Sequence, residues 1–110
     1  MTLVEFERQV YAVAAASPIC GVPLLRRLTP TSVNLRLDIV TDDFIDAFFN
    51  EQTDTLAYAV IRDGKRIFGA DNTGGWHVHP WHRPASHESL PEPMSFHAFV
   101  DAIEKWLQNG

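Results

Sequence analysis

One cysteine, Cys20, is all this chain has, so no internal disulfide braces it. Such usage points to a reducing compartment, the cytoplasm. Long apolar runs are missing as well. Nothing approaches the roughly 20 consecutive apolar residues that cross a bilayer, and Glu5, Glu7 and Arg8 stand where a secretory segment would run from charged to apolar. No membrane partner is expected. Positive charge is scarce: nine Lys and Arg face 14 Asp and Glu, for a net charge of −5 and a pI near 5.4. That balance excludes a broad phosphate-binding surface and leaves only a local basic patch around Arg62, Lys65, Arg66 and Arg83. Histidine is absent from the first 76 residues, and all five copies follow. The reactive side chains are therefore gathered in the last third of the chain.

The rest reads as ordinary globular material. A chain of 110 residues, 45% of them hydrophobic, makes one domain and buries roughly two thirds of its unfolded surface. Thr2 and Glu5 form a Thr-x-x-Glu capping box, and Leu3, Phe6, Val10, Val13 and Ala14 recur at helical spacing, which predicts a helix over residues 3–16. Ser17-Pro18 ends it, because the residue before a proline leaves the helical region. Residues 22–28 are a short strand interrupted by Pro23, followed by the turn cluster Thr29-Pro30-Thr31-Ser32. Val33, Leu35, Leu37 and Ile39 then alternate with Asn34, Arg36 and Asp38, the period of a strand with one wet face. Thr41-Asp42-Asp43 turns into a third strand over 44–51, apolar on both faces around Asp46 and so central or capped.

Residues 55–62 and 65–70 flank Asp63-Gly64, a pair suited to the positive φ angles of a two-residue type I′ hairpin. A regular register there opposes Arg62 with Lys65, Val60 with Ile67, and Tyr58 with Gly69, the glycine leaving room for the ring. From Asp71 to Pro93 periodicity is lost, and the segment reads as a loop or a short strand with a loop, anchored by Trp76 and Trp81. Ser95 caps a closing helix with Phe96, Phe99, Val100, Ile103, Trp106 and Leu107 on one stripe. The sum is an α+β domain over 1–110: an antiparallel meander of about five strands, with an N-terminal and a C-terminal helix on one face. The other face, or a sheet end, is left for function.

Three kinds of chemistry fit the segment from Asp71 to His87. If 76–79 is a strand, His77 and His79 share a face about 7 Å apart at Cα, close enough to share an ion. His77, His79, His82 and His87 are then candidate ligands for zinc, nickel or copper, with Asp71 or Glu88 completing four-coordination. Alternatively His77 and His79 act as general acid and base on a phosphodiester, since imidazole titrates near neutral pH. Arg62, Lys65 and Arg66 would hold phosphate, Asp71, Asn72, Trp76 and Trp81 would line the substrate, and Tyr58 is a candidate phenol acid. In the third reading the rings are a lid over the sheet end. The domain is then an interaction module that binds a partner, or a second copy as a homodimer, through that lid and an exposed strand edge. Other motifs fail: there is no second cupin motif, Trp81 stands where a histidine triad needs its third histidine, and Lys-Ser or Lys-Thr does not follow the glycines. Cys20 lacks an activating base, Asp42, Asp43 and Asp46 read as turn chemistry, and His97 reads as a surface residue.

The order of motifs resembles the TumE-like toxin-component family. It comprises a leading helix closing on Ser17-Pro18-Ile19, then Leu56-Ala57-Tyr58, Gly64-Lys65-Arg66-Ile67-Phe68, Asp71-Asn72, a His-rich stretch and a closing helix. Where that family follows the Asp-Asn pair with a proline and adjacent histidines, this chain has Thr73-Gly74-Gly75-Trp76 and spaced histidines. The resemblance implies a small toxin paired with a helix-turn-helix antitoxin and acting on RNA.

Overall fold

The capping box forms: Thr2 Oγ1 accepts from the Glu5 N–H at 3.1 Å, and Glu5 Oε1 accepts from the Thr2 N–H at 3.2 Å. It starts α1 (Leu3–Ala16), which ends where Ser17 turns extended ahead of Pro18. In the computed structural model, which describes residues 1–109, seven strands follow: β1 (Leu24–Leu28), β2 (Ser32–Asp38), β3 (Phe44–Asn50), β4 (Thr55–Arg62), β5 (Lys65–Asp71), β6 (His77–His79) and β7 (Glu88–Ser89). They make one antiparallel sheet in chain order. α2 (Phe96–Asn109) closes the chain, its first turn capped by Ser95 Oγ, which accepts from the Ala98 N–H at 3.0 Å. No helix among the described residues is long and apolar enough to cross a membrane.

The α+β meander stands, with seven strands where about five were expected. The two additions come from the His-rich segment, and three- and two-residue strands are too short to show a period in sequence. One strand face carries Val33, Leu35, Leu37, Ile45, Ala47, Phe49, Tyr58, Val60, Phe68 and Ala70 into the core, where Phe6 and Val10 of α1 meet Phe96, Phe99, Val100 and Ile103 of α2. Burying each large apolar side chain contributes roughly 1.5–3 kcal/mol. Both helices cover this face and leave the opposite one uncovered. β3 is central, as its two apolar faces predict. β1 lies at the sheet edge with every residue exposed, Leu24, Leu25 and Leu28 among them.

The β4–β5 hairpin has its type I′ turn, with φ of 52° at Asp63 and 77° at Gly64. Its register departs from the expected one. Arg62 opposes Lys65 and Ile61 opposes Arg66, but then Val60 opposes Phe68, Ala59 opposes Gly69 and Tyr58 opposes Ala70. A β-bulge inserts Ile67. Without it Phe68 would point to the uncovered face; with it Phe68 and Ala70 both reach the core. Gly69 therefore makes no room for the Tyr58 ring. A Cβ there would lie 2.9 Å from Arg66 Cδ and 3.0 Å from the Tyr58 carbonyl oxygen, so the glycine accommodates the stem of Arg66.

Candidate metal centre

Strand alternation builds the site. Asp71 opposes His77 and Gly69 opposes His79 across β5–β6, which sends Asp71, His77 and His79 to the uncovered face while Val78 packs toward the core. Across β6–β7, His77 opposes Ser89, so the same alternation brings His87, two residues earlier, back over that face. The three rings touch: centroids are 4.9 Å apart for His77 and His79, 4.8 Å for His77 and His87, and 4.5 Å for His79 and His87. One ring nitrogen from each lies within 4.8 Å of the others.

Asp71 completes the group. Its Oδ1 lies 3.2 Å from His77 Nε2, its Oδ2 lies 3.2 Å from His79 Nε2, and Oδ1 accepts from the Thr73 N–H at 3.0 Å. Burial alone would raise the Asp71 carboxyl, but the His79 and Thr73 hydrogen bonds and the nearby His77 and His79 charges outweigh it and hold the pKa below the ordinary value. The tautomer of His77 follows from Gly75, whose carbonyl oxygen is 2.9 Å from Nδ1. A carbonyl only accepts, so Nδ1 carries the proton and, in a neutral ring, Nε2 presents its lone pair. That lone pair faces a carboxylate oxygen, an arrangement that requires either a second proton or a cation between them. Neighbouring ligand atoms around a tetrahedral ion with bonds of 2.0–2.2 Å sit roughly 3.3–3.6 Å apart, a little wider than the 3.2 Å between Asp71 and His77. The outward hydrogen bond to Gly75 is the kind of support that orients a metal-bound imidazole.

His79 is 2% exposed, and its Nδ1 is buried without a hydrogen-bond partner among the described residues. An unsatisfied buried polar atom costs about 1–3 kcal/mol, which an apolar residue at this position would not incur. His87 is exposed and its side chain makes no hydrogen bond among the described residues, so no partner holds its ring away from the other two. An open groove of about 770 Å³ runs past the cluster, lined also by Arg66, Gly74, Trp76, Ser89 and Leu90.

The other expected site residues fall elsewhere. Arg62 forks onto buried Asp43, with Nε donating to Oδ1 and Nη2 to Oδ2, both at 2.9 Å, and this pairing holds the Asp43 carboxyl below its usual range. Lys65 stands exposed at the hairpin turn. Tyr58 points to the helix side, where its hydroxyl donates to the Met94 carbonyl at 3.1 Å and burial pushes its phenol pKa up, so it is no proton donor to the histidines. Asn72 is structural: its Oδ1 accepts from the Leu56 N–H and its Nδ2 donates to the Asp54 carbonyl. Trp81 is sandwiched between Phe68 and Trp106 at centroid distances of 4.5 and 4.0 Å and pins the loop to α2. His82 and Glu88 line a hollow beside that stack, apart from the three clustered histidines. His97 is exposed on α2, as expected. Sequence reasoning placed Arg66 only by its charge; pairing with Ile61 sets it on the uncovered face, and the bulge, which no residue pattern announced, brings Asp71 and the histidines to that face. No protein-family model, no curated protein and no solved structure matches this chain.

Proposed function

We propose that this domain binds one divalent transition-metal ion between His77, His79, His87 and Asp71. The convergence of three imidazole nitrogens within 4.8 Å, beside a carboxylate 3.2 Å from two of the rings, carries the reading. Three nitrogens and one oxygen suit zinc, nickel or copper and are a poor set for magnesium or calcium, which prefer all-oxygen shells. Titration of the untagged protein with zinc against a chromogenic chelator should show one tight equivalent. The His77→Ala, His79→Ala double variant should show none, while the His82→Ala variant should bind as the parent does. Equal uptake by the double variant and the parent contradicts the assignment.

Arg66 beside the histidines, with the TumE-like order of motifs, favours a second reading: a toxin component that cuts RNA. His77 and His79 would move the protons, Arg66 and Lys65 would hold phosphate, and the partner implied is a helix-turn-helix antitoxin. RNA incubated with the protein, with and without ribosomes, should be cut, and the same double variant should leave it intact. RNA that survives micromolar protein in both settings rules this reading out.

A further inference from the structure

Arg66 is placed at the groove by three features that have nothing to do with metal binding. Pairing with Ile61 sets Arg66 on the uncovered face, and the Ile67 bulge brings Asp71 to that same face, because the two residues, an odd number apart, would otherwise point to opposite sides. Gly69 leaves the gap over which its stem lies, and Gly69 is the register partner of His79, so the stem runs beside the buried histidine. Its Nη2 then donates to the Pro84 carbonyl at 3.3 Å, which steadies the guanidinium at the groove wall. Arg36 and Arg62 are paired with carboxylates on this protein, but Arg66 has no carboxylate partner among the described residues. Its other donors make no hydrogen bond among the described residues, and the side chain lines the groove.

We infer that the centre takes an exogenous oxyanion, a carboxylate or phosphate group, bound between the metal ion and the Arg66 guanidinium. This inference rests on the metal reading above. A divalent ion and Arg66 together carry three positive charges, Asp71 offsets one, and the three imidazoles bind as neutral ligands; the site is left with a surplus that an anion balances. The histidines and Asp71 would hold the ion from the strands, and the groove that runs past them has room for a further ligand atom. The planar guanidinium presents paired N–H groups to two oxygens of one carboxylate or phosphate, which an ammonium cannot match. At about 770 Å³ the groove exceeds a lone oxyanion and is in the range of small-molecule sites, with Trp76 and Leu90 as apolar wall for the remainder of the ligand.

The test uses the full chain loaded with one equivalent of cobalt(II), whose visible bands report its coordination. Inorganic phosphate and acetate are titrated separately at constant ionic strength, with chloride as the control. At least one of the two oxyanions should shift the bands saturably, and which one does so identifies the source chemistry. The Arg66→Gln variant should bind cobalt as the parent does and weaken the anion at least tenfold, while Arg66→Lys restores part of the loss. Cobalt uptake with bands indifferent to both anions overturns this inference and leaves the metal site standing. Absence of cobalt uptake overturns the metal reading and this inference with it. Unchanged anion affinity in Arg66→Gln removes Arg66 from the site and overturns the inference as stated.

Discussion

Replacing Asp71 with asparagine keeps the size of the side chain and removes the charge that both His77 and His79 face. The amide oxygen can still accept from the Thr73 N–H, but the second carboxylate oxygen, 3.2 Å from a histidine Nε2, becomes an NH2 group that cannot bind a cation. Loss of an outer-shell partner alone weakens metal binding about 10- to 100-fold, or roughly 1.4–2.7 kcal/mol, and Asp71 sits at ligand distance, so the upper figure applies. The effect is large in a melting experiment. With free zinc at about 100 times the parent dissociation constant, the ion stabilises the parent by about 2.7 kcal/mol, whereas a variant with a 100-fold weaker site gains only about 0.4 kcal/mol. For a domain of this size each kcal/mol moves the midpoint by about 4–8 °C. The parent should therefore gain roughly 10–20 °C from zinc and Asp71→Asn about 2–3 °C, read by circular dichroism on untagged protein at pH 7. A variant that keeps the full zinc shift refutes the role given to Asp71, and a parent with no shift at saturating zinc refutes the centre itself.

Acid should destabilise the fold through Asp43 and Asp71. Both folded pKa values lie below the unfolded value near 3.8, so their stabilisation is complete above that value and is lost as pH falls through the lower folded values; urea midpoints should drop less steeply below pH 4 in Asp71→Asn than in the parent. Arg62→Gln should lower the urea midpoint, because buried Asp43 loses its fork, and should leave the zinc shift intact; a lost zinc shift would tie Arg62 to the site. Phe99→Ala empties a fully buried position packed between Tyr58 and Phe68 and should cost about 3–5 kcal/mol in chemical denaturation; a loss below 1 kcal/mol contradicts the packing described. Gly69→Ala should displace Arg66, with metal stoichiometry retained and anion binding weakened; unchanged anion binding would show that Arg66 does not need the gap.

What could be read in advance was local. Thr2 with Glu5 marks the start of α1, Asp63-Gly64 marks its hairpin, and the alternation from Val33 to Ile39 marks β2, because each signal lies within a few residues of what it controls. What escaped depends on register between strands. The Ile67 bulge is decided by whether Phe68 reaches the core, and that choice alone brings Asp71 and the histidines to the face on which Arg66 stands. His87 rather than His82 joins the cluster because it has the same parity as Ser89, opposite His77, and only the β6–β7 pairing reveals that. The Arg62–Asp43 fork was nearer to hand: the two residues flank the paired Phe44 and Ile61, so a correct β3–β4 register would have matched them and removed Arg62 from the phosphate holders.

Elemental analysis of untagged protein, loaded with zinc and freed of excess by gel filtration, addresses the metal centre most directly. About one equivalent per chain in the parent, falling below a tenth in the His77→Ala, His79→Ala variant that still melts cooperatively, is the predicted result. Less than a tenth of an equivalent in the parent, with no further uptake of zinc, nickel or copper, would contradict it.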